Sequence, residues 1–180
     1  MMNRATLIPC LGVAISACAT PPPERTAAPH TAVELAETGT TIRFDFNPES
    51  GVSADSVRAP SASAWAAVPQ AYARFGLGTT AHAAARVVTS RMNVRGTTGG
   101  VRLSRMLDCG ASMGVPRAET YTINLSVATR VDSVAPAMTV LRTRVQASGH
   151  DPAVSSNRVQ CATTGYLERQ IASAVQELAR

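Results

Sequence analysis

Apolar and polar positions alternate along much of the chain beyond residue 40, and in two places the period changes from two to about 3.6. Residues 41–46 set Ile42, Phe44 and Phe46 against Thr41, Arg43 and Asp45, which predicts a first strand. Asn47-Pro48-Glu49-Ser50-Gly51 ends it. Trp65, Val68, Tyr72 and Phe75 then recur at helical spacing behind Pro60, Ser61 and Ser63, and Gly76 and Gly78 stop the run. Pro69 falls inside this pattern, so the helix either begins near Val68 or is kinked there. Four strand-like segments follow. In residues 86–95, Val88, Met92 and Val94 oppose Arg91, Asn93 and Arg95. A glycine-rich turn at 96–100 leads into residues 101–109, where Val101, Leu103 and Leu107 share a face with Arg105, and the two segments read as a hairpin. Residues 121–131 give the clearest alternation, with Tyr121, Ile123, Leu125, Val127 and Val131 on one side. Residues 132–136 turn the chain, and Leu141, Val145 and Ala147 then oppose Arg142, Arg144 and Gln146. Residues 149–157 read as a polar loop and 158–161 as a short strand. Thr163, Thr164 and Gly165 open a last helix with Glu168 in its first turn and an apolar stripe of Leu167, Ile171, Ala174, Val175 and Leu178.

The order is thus β, α, four or five β, α. Short connections favour a consecutive antiparallel meander. The expected fold class is α+β: an antiparallel sheet of about five strands with two helices packed on one face.

The first 17 residues have a different character. Arg4 supplies a positive charge, and residues 5–15 are apolar apart from Thr6, with Pro9 and Gly12 interrupting them. Such a run is too short for a spanning helix, which needs about 20 apolar residues, and it fits an export signal. It ends in Ile15-Ser16-Ala17-Cys18. An aliphatic residue, two small residues and a cysteine resemble the lipobox of bacterial lipoproteins. The resemblance implies a diacylglyceryl group on the Cys18 sulfur, cleavage after Ala17, acylation of the new amine, and the lipid bilayer as a partner. Two or three acyl chains hold a protein on a membrane durably, whereas one binds only marginally. Ala19, where an aspartate would retain an enteric lipoprotein in the inner membrane, implies an outer-membrane anchor facing the periplasm. Ala17-Cys18-Ala19 also fits an ordinary signal-peptidase site, which would release a soluble periplasmic or secreted protein. Residues 18–39 are rich in Ala, Pro, Thr and Glu without apolar periodicity and read as the lipidated cysteine and a disordered tether, leaving 40–180 as a single domain. In element order that domain is similar to small envelope lipoproteins that act as accessory subunits, such as the lipopolysaccharide-assembly and transport-auxiliary lipoproteins.

Composition narrows the chemistry. All 17 basic residues are arginines, no lysine occurs, and the formal charge of +5 falls by one with Arg4 removed. No block of like charge marks a nucleic-acid-binding tail, so no nucleic-acid partner is expected. Of the four cysteines, Cys10 leaves with the signal and Cys18 takes the lipid. Cys109 and Cys161 remain as one pair in an oxidising compartment, where a disulfide is expected. Neither belongs to a C-x-x-C and no histidine lies near either, so no metal or other cofactor is implied.

No nucleophile elbow, H-E-x-x-H or phosphate-binding glycine loop is present, and a non-enzymatic protein is expected. His150-Asp151 with Ser155 or Ser156 is the nearest approach to a hydrolase set, and it lies within one polar segment. Arg91, Arg95, Arg102 and Arg105 flank one hairpin, with Arg142 and Arg144 on a later strand. Arginines sharing an open face would form a patch for phosphates or acidic head groups, although Arg102 and Arg105 have opposite parity. The sequence therefore leads to an anchored accessory or binding module whose partner is another envelope protein or a lipid. One alternative is a carrier that would hold a lipid or other apolar ligand between sheet and helices, and another is a secreted hydrolase around His150.

Overall fold

Residues 32–37 and 40–180 are described by the structure, a computed structural model. The export signal, Cys18 and the tether up to residue 31 lie outside the described residues. A hairpin of β1 (Ala32–Glu37) and β2 (Thr40–Asp45) leads through a 3-10 turn at Pro48–Ser50 to β3 (Val52–Val57) and helix α1 (Ser61–Arg74). Strands β4 (Thr80–His82) and β5 (Val87–Arg95) follow. Short pieces come next: β6 (Thr97–Thr98), β7 (Val101–Arg102), α2 (Leu103–Met106), β8 (Leu107–Asp108), β9 (Ala111–Ser112), β10 (Val115–Pro116) and α3 (Arg117–Thr120). The chain closes with three longer strands, β11 (Thr122–Ala135), β12 (Met138–Asp151) and β13 (Val154–Thr163), and helix α4 (Tyr166–Leu178).

The fold is α+β, as the periodicity implies. Its main sheet runs β7-β6-β5-β11-β12-β13-β8, wider than five strands, with β3 added on β12 and β4 on β5. All its pairs are antiparallel. β11 lies along the whole of one edge of β12. The other edge is divided: β3 pairs with residues 139–144 and β13 with residues 147–151. Helices α1 and α4 pack side by side over one face. There Tyr72, Leu167 and Ile171 are buried with Ile123, Leu125 and Leu141 of the sheet, because odd-numbered residues of β11 and β12 share that face. α1 continues through Pro69, so the Trp65 carbonyl lacks the helical donor that residue 69 would ordinarily supply.

Among the described residues, the opposite face is covered at one end only. Leu35, Phe44 and Phe46 of the first hairpin segment bury themselves against Val87 and Ala128, forming a second, smaller core. This hairpin corrects the tether boundary. Val33 and Leu35 alternate, and pairing of Ala32 with Asp45 makes residues 32–37 a strand. Three further expectations change. Residues 101–109 are not a strand arm: Leu103, Met106 and Leu107 are buried at helical i, i+3, i+4 spacing, and a turn of helix, α2, follows the two-residue β7. Residues 149–157 are not a loop, since β12 runs to Asp151 and β13 begins at Val154. The turn expected at 132–136 is narrower, as β11 continues to Ala135.

Cys109 and Cys161 are joined by a disulfide with an S–S distance of 2.02 Å. The bond lies next to the short β8–β13 ladder, where Asp108 pairs with Ala162 and Leu107 with Thr163. It therefore ties the irregular middle of the chain to the strand that feeds α4. Among the described residues no helix is long and apolar enough to cross a membrane.

Candidate functional site

The helix-free face is built by register. Even-numbered residues of β11 point away from the helices, and antiparallel pairing carries that parity across the sheet. Three rows result. Arg91, Ser126 and Gln146 form the first, Asn93, Asn124, Ser148 and Gln160 the second, and Arg95, Thr122, His150 and Arg158 the third. Every member is polar. The next row, Thr89, Ala128, Arg144 and Val52, lies at the border with the apolar hairpin.

Most of these residues line two adjoining cavities that form a groove, while Arg95 and Thr122 stand on the same face at its end. A cavity of about 580 Å³ has Arg91, Ser126, Arg144 and Gln146 in its wall, and a second of about 300 Å³ has Asn93, His150 and Arg158. Asn124 and Ser148 belong to both. Asn124 Nδ2 donates to Asn93 Oδ1 at 3.1 Å, which fixes two amides of the middle row. Arg144 donates from Nη1 to the Asp45 carbonyl oxygen, anchoring it under the hairpin. With its amide oxygen turned toward Arg144, Gln146 accepts from Nη2 and Nε at 2.9 and 3.1 Å.

The electrostatics are one-sided. Arg91, Arg95, Arg144 and Arg158 make no ion pair with any described residue, and the three rows contain no carboxylate. The Asp45 carboxylate is engaged elsewhere, accepting from the Asn47 N–H at 3.0 Å. Beyond the hairpin the arginines of the same face do have a carboxylate. Asp132 lies 2.8 Å from Arg130 Nε and 3.0 Å from Arg142 Nε, the second an ion pair without hydrogen-bond alignment. A guanidinium without a carboxylate partner, set among amides and hydroxyls, is suited to an incoming oxyanion.

The four arginines expected to form a patch thus divide. Arg91 and Arg95 share the groove face. Arg102 instead extends into solvent 3.9 Å from Glu119, and Arg105 lies over the Tyr166 ring, 4.5 Å from its centroid. α2 carries Arg105 away from the sheet, whereas Arg102 stays in β7, paired with Thr97 and with Glu119 as its acidic neighbour. Of the later pair, Arg144 joins the groove and Arg142 is held by Asp132. Arg158 opens the short strand expected at 158–161 but is not counted with the patch, because its row partner His150 falls in the segment that reads as loop; the continued alternation of β12 and β13 is the signal that would have joined them.

His150 and Asp151 are consecutive strand residues. His150 faces the groove, while Asp151 Oδ1 accepts from the Ala153 N–H at 2.9 Å within its own turn. The side chains of Ser155 and Ser156 lie outside the described residues. Among those described, no group of three or more His, Cys, Asp or Glu is placed to hold a metal ion. Compared with protein-family models, with curated proteins and with solved structures, the chain matches none of them.

Proposed function

We propose that this protein is a non-enzymatic binding module of the bacterial cell envelope, anchored in the outer membrane through acylated Cys18 and facing the periplasm. The observation that carries the binding role is the groove on the helix-free face, where four arginines have no acidic partner among the described residues. Arg144 also holds the first hairpin through the Asp45 carbonyl, but Arg91, Arg95 and Arg158 make no such bond among the described residues, and arginine alternation on a solvent face is served equally well by the paired arrangement around Asp132. The lipobox, Ile15-Ser16-Ala17-Cys18, supports the anchor, and the cystine at Cys109 and Cys161 accords with an oxidising compartment. The groove's amide, hydroxyl and guanidinium lining does not suit the apolar ligand of a carrier.

Native mass spectrometry of the protein extracted gently from its own membranes tests the anchor. Acylation on a chain beginning at Cys18 is expected, and loss of that mass in Cys18→Ser. An unlipidated chain beginning at Thr20 would refute the anchor and leave a secreted protein.

A further inference from the structure

We propose that the groove takes the phosphorylated polyol headgroup of an anionic membrane lipid. The proposal deepens the binding role and rests on the membrane-anchored reading of Cys18. Two features of the groove select the ligand. Arg91, Arg95, Arg144 and Arg158, with no acidic partner among the described residues, call for an anion that remains charged at any physiological pH, as a phosphodiester does. Between them lie side chains that both donate and accept: Asn93, Asn124, Gln146, Ser148 and Gln160. That combination matches hydroxyl groups next to a phosphate, since a hydroxyl also donates and accepts. A carboxylate-rich peptide would use the guanidinium groups and leave most of the neutral amides unmatched.

Position supplies the second argument. Ala32, where the described chain begins, pairs with Asp45, whose carbonyl oxygen accepts from Arg144 at the groove wall. The tether therefore enters the domain beside the groove. The segment from Cys18 to Ala32, roughly 14 residues, spans at most about 50 Å when fully extended. An acyl chain on Cys18 thus keeps the groove within reach of the headgroups of its own leaflet.

The test uses the processed chain, residues 18–180, carrying Cys18→Ser so that no acyl chain contributes, after a cooperative thermal melt has established its fold. Sedimentation is compared with vesicles of phosphatidylcholine alone and with vesicles containing phosphatidylglycerol. Binding is expected only with the anionic vesicles, and weaker as salt rises. Arg91→Ser with Arg95→Ser, two exposed side chains, should lower affinity roughly fivefold for each arginine removed, about twenty-five-fold together. The charge-matched pair Arg58→Ser with Arg169→Ser, also exposed but outside the groove, should change it little. An equal loss in the two pairs would overturn the proposal in favour of net charge alone. So would the absence of binding to anionic vesicles, or binding of free glycerol phosphate as tight as that of the vesicles, which would make the ligand a soluble phosphoester. Because this protein carries no lipid, its failure to bind leaves the Cys18 mass measurement unaffected, and the two readings fall separately.

Discussion

Tyr72 gives a prediction that can be worked through in numbers. Its side chain is fully buried beneath α1, its hydroxyl donates to Thr129 Oγ1 at 2.9 Å, and the Thr129 and Thr143 hydroxyls lie 2.9 Å apart. Burial pushes the phenol well above its ordinary value, with the Thr129 hydrogen bond pulling weakly the other way. In the unfolded chain the same phenol ionises near pH 10. Above that pH the native state holds one proton more than the unfolded state, so stability falls as pH rises. The contribution is complete below about pH 10 and is lost at up to about 1.4 kcal/mol per pH unit, about 2 kcal/mol by pH 11.5. No lysine is present to titrate in the same window. Tyr72→Phe removes the effect and one hydrogen bond, a loss of about 1 kcal/mol at pH 8. The two stability curves should therefore cross between about pH 10 and 11, the variant being the more stable at pH 11.5. Urea unfolding followed by far-ultraviolet circular dichroism from pH 8 to 11.5 measures both, and contributions common to the two proteins cancel in the difference. Curves that stay parallel across this range would refute the assignment of a proton held by burial at Tyr72.

Gly99 and Gly100 both adopt left-handed conformations, with φ of 53° and 76°, but an added Cβ at Gly99 would fall 2.4 Å from the Phe75 backbone whereas at Gly100 it meets nothing within 4 Å. Gly100→Ala should lose about 1–2 kcal/mol from conformation alone, and Gly99→Ala about 1–3 kcal/mol more, read as the difference between their urea midpoints. Equal losses would show that the close approach to α1 carries no weight. The cystine joins residues separated by 52 positions, and replacing Cys109 and Cys161 together by alanine should destabilise the domain by roughly 4 kcal/mol in the chain-entropy account. A thermal melt within about a degree of the parent would contradict that account.

Legibility in the sequence followed the regularity of each segment. β5, β11 and β12 alternate cleanly, so the buried face with Val88, Ile123, Leu125 and Leu141 could be read directly, as could the shared parity of Arg91 and Arg95. Alternation places a residue on a face but does not align it with its neighbours across the sheet. The rows that bring Arg95 level with His150 and Arg158 depend on register, which is fixed by turns and long-range packing. β1 was obscured because Val33 and Leu35 stand among Ala, Thr and Glu, and their burial depends on Phe44 and Phe46 meeting the sheet. Residues 101–109 misled for a different reason. Leu103 and Leu107 fit either period, and only the burial of Met106 decides for a helical turn.

The divided edge of β12 also sets the order in which the molecule can be assembled. β11, β12 and β13 are consecutive and can pair through local turns, but Val57 must find Thr139 and Val52 must find Arg144 across most of the domain's sequence. Closing so long a loop is slow compared with forming a hairpin. α1 follows β3 directly, and the strands it covers, β11 and β12, come much later in the chain. During synthesis, therefore, the half made first remains open, the buried face of α1 uncovered and exposed to aggregation, until the half made last has folded upon itself.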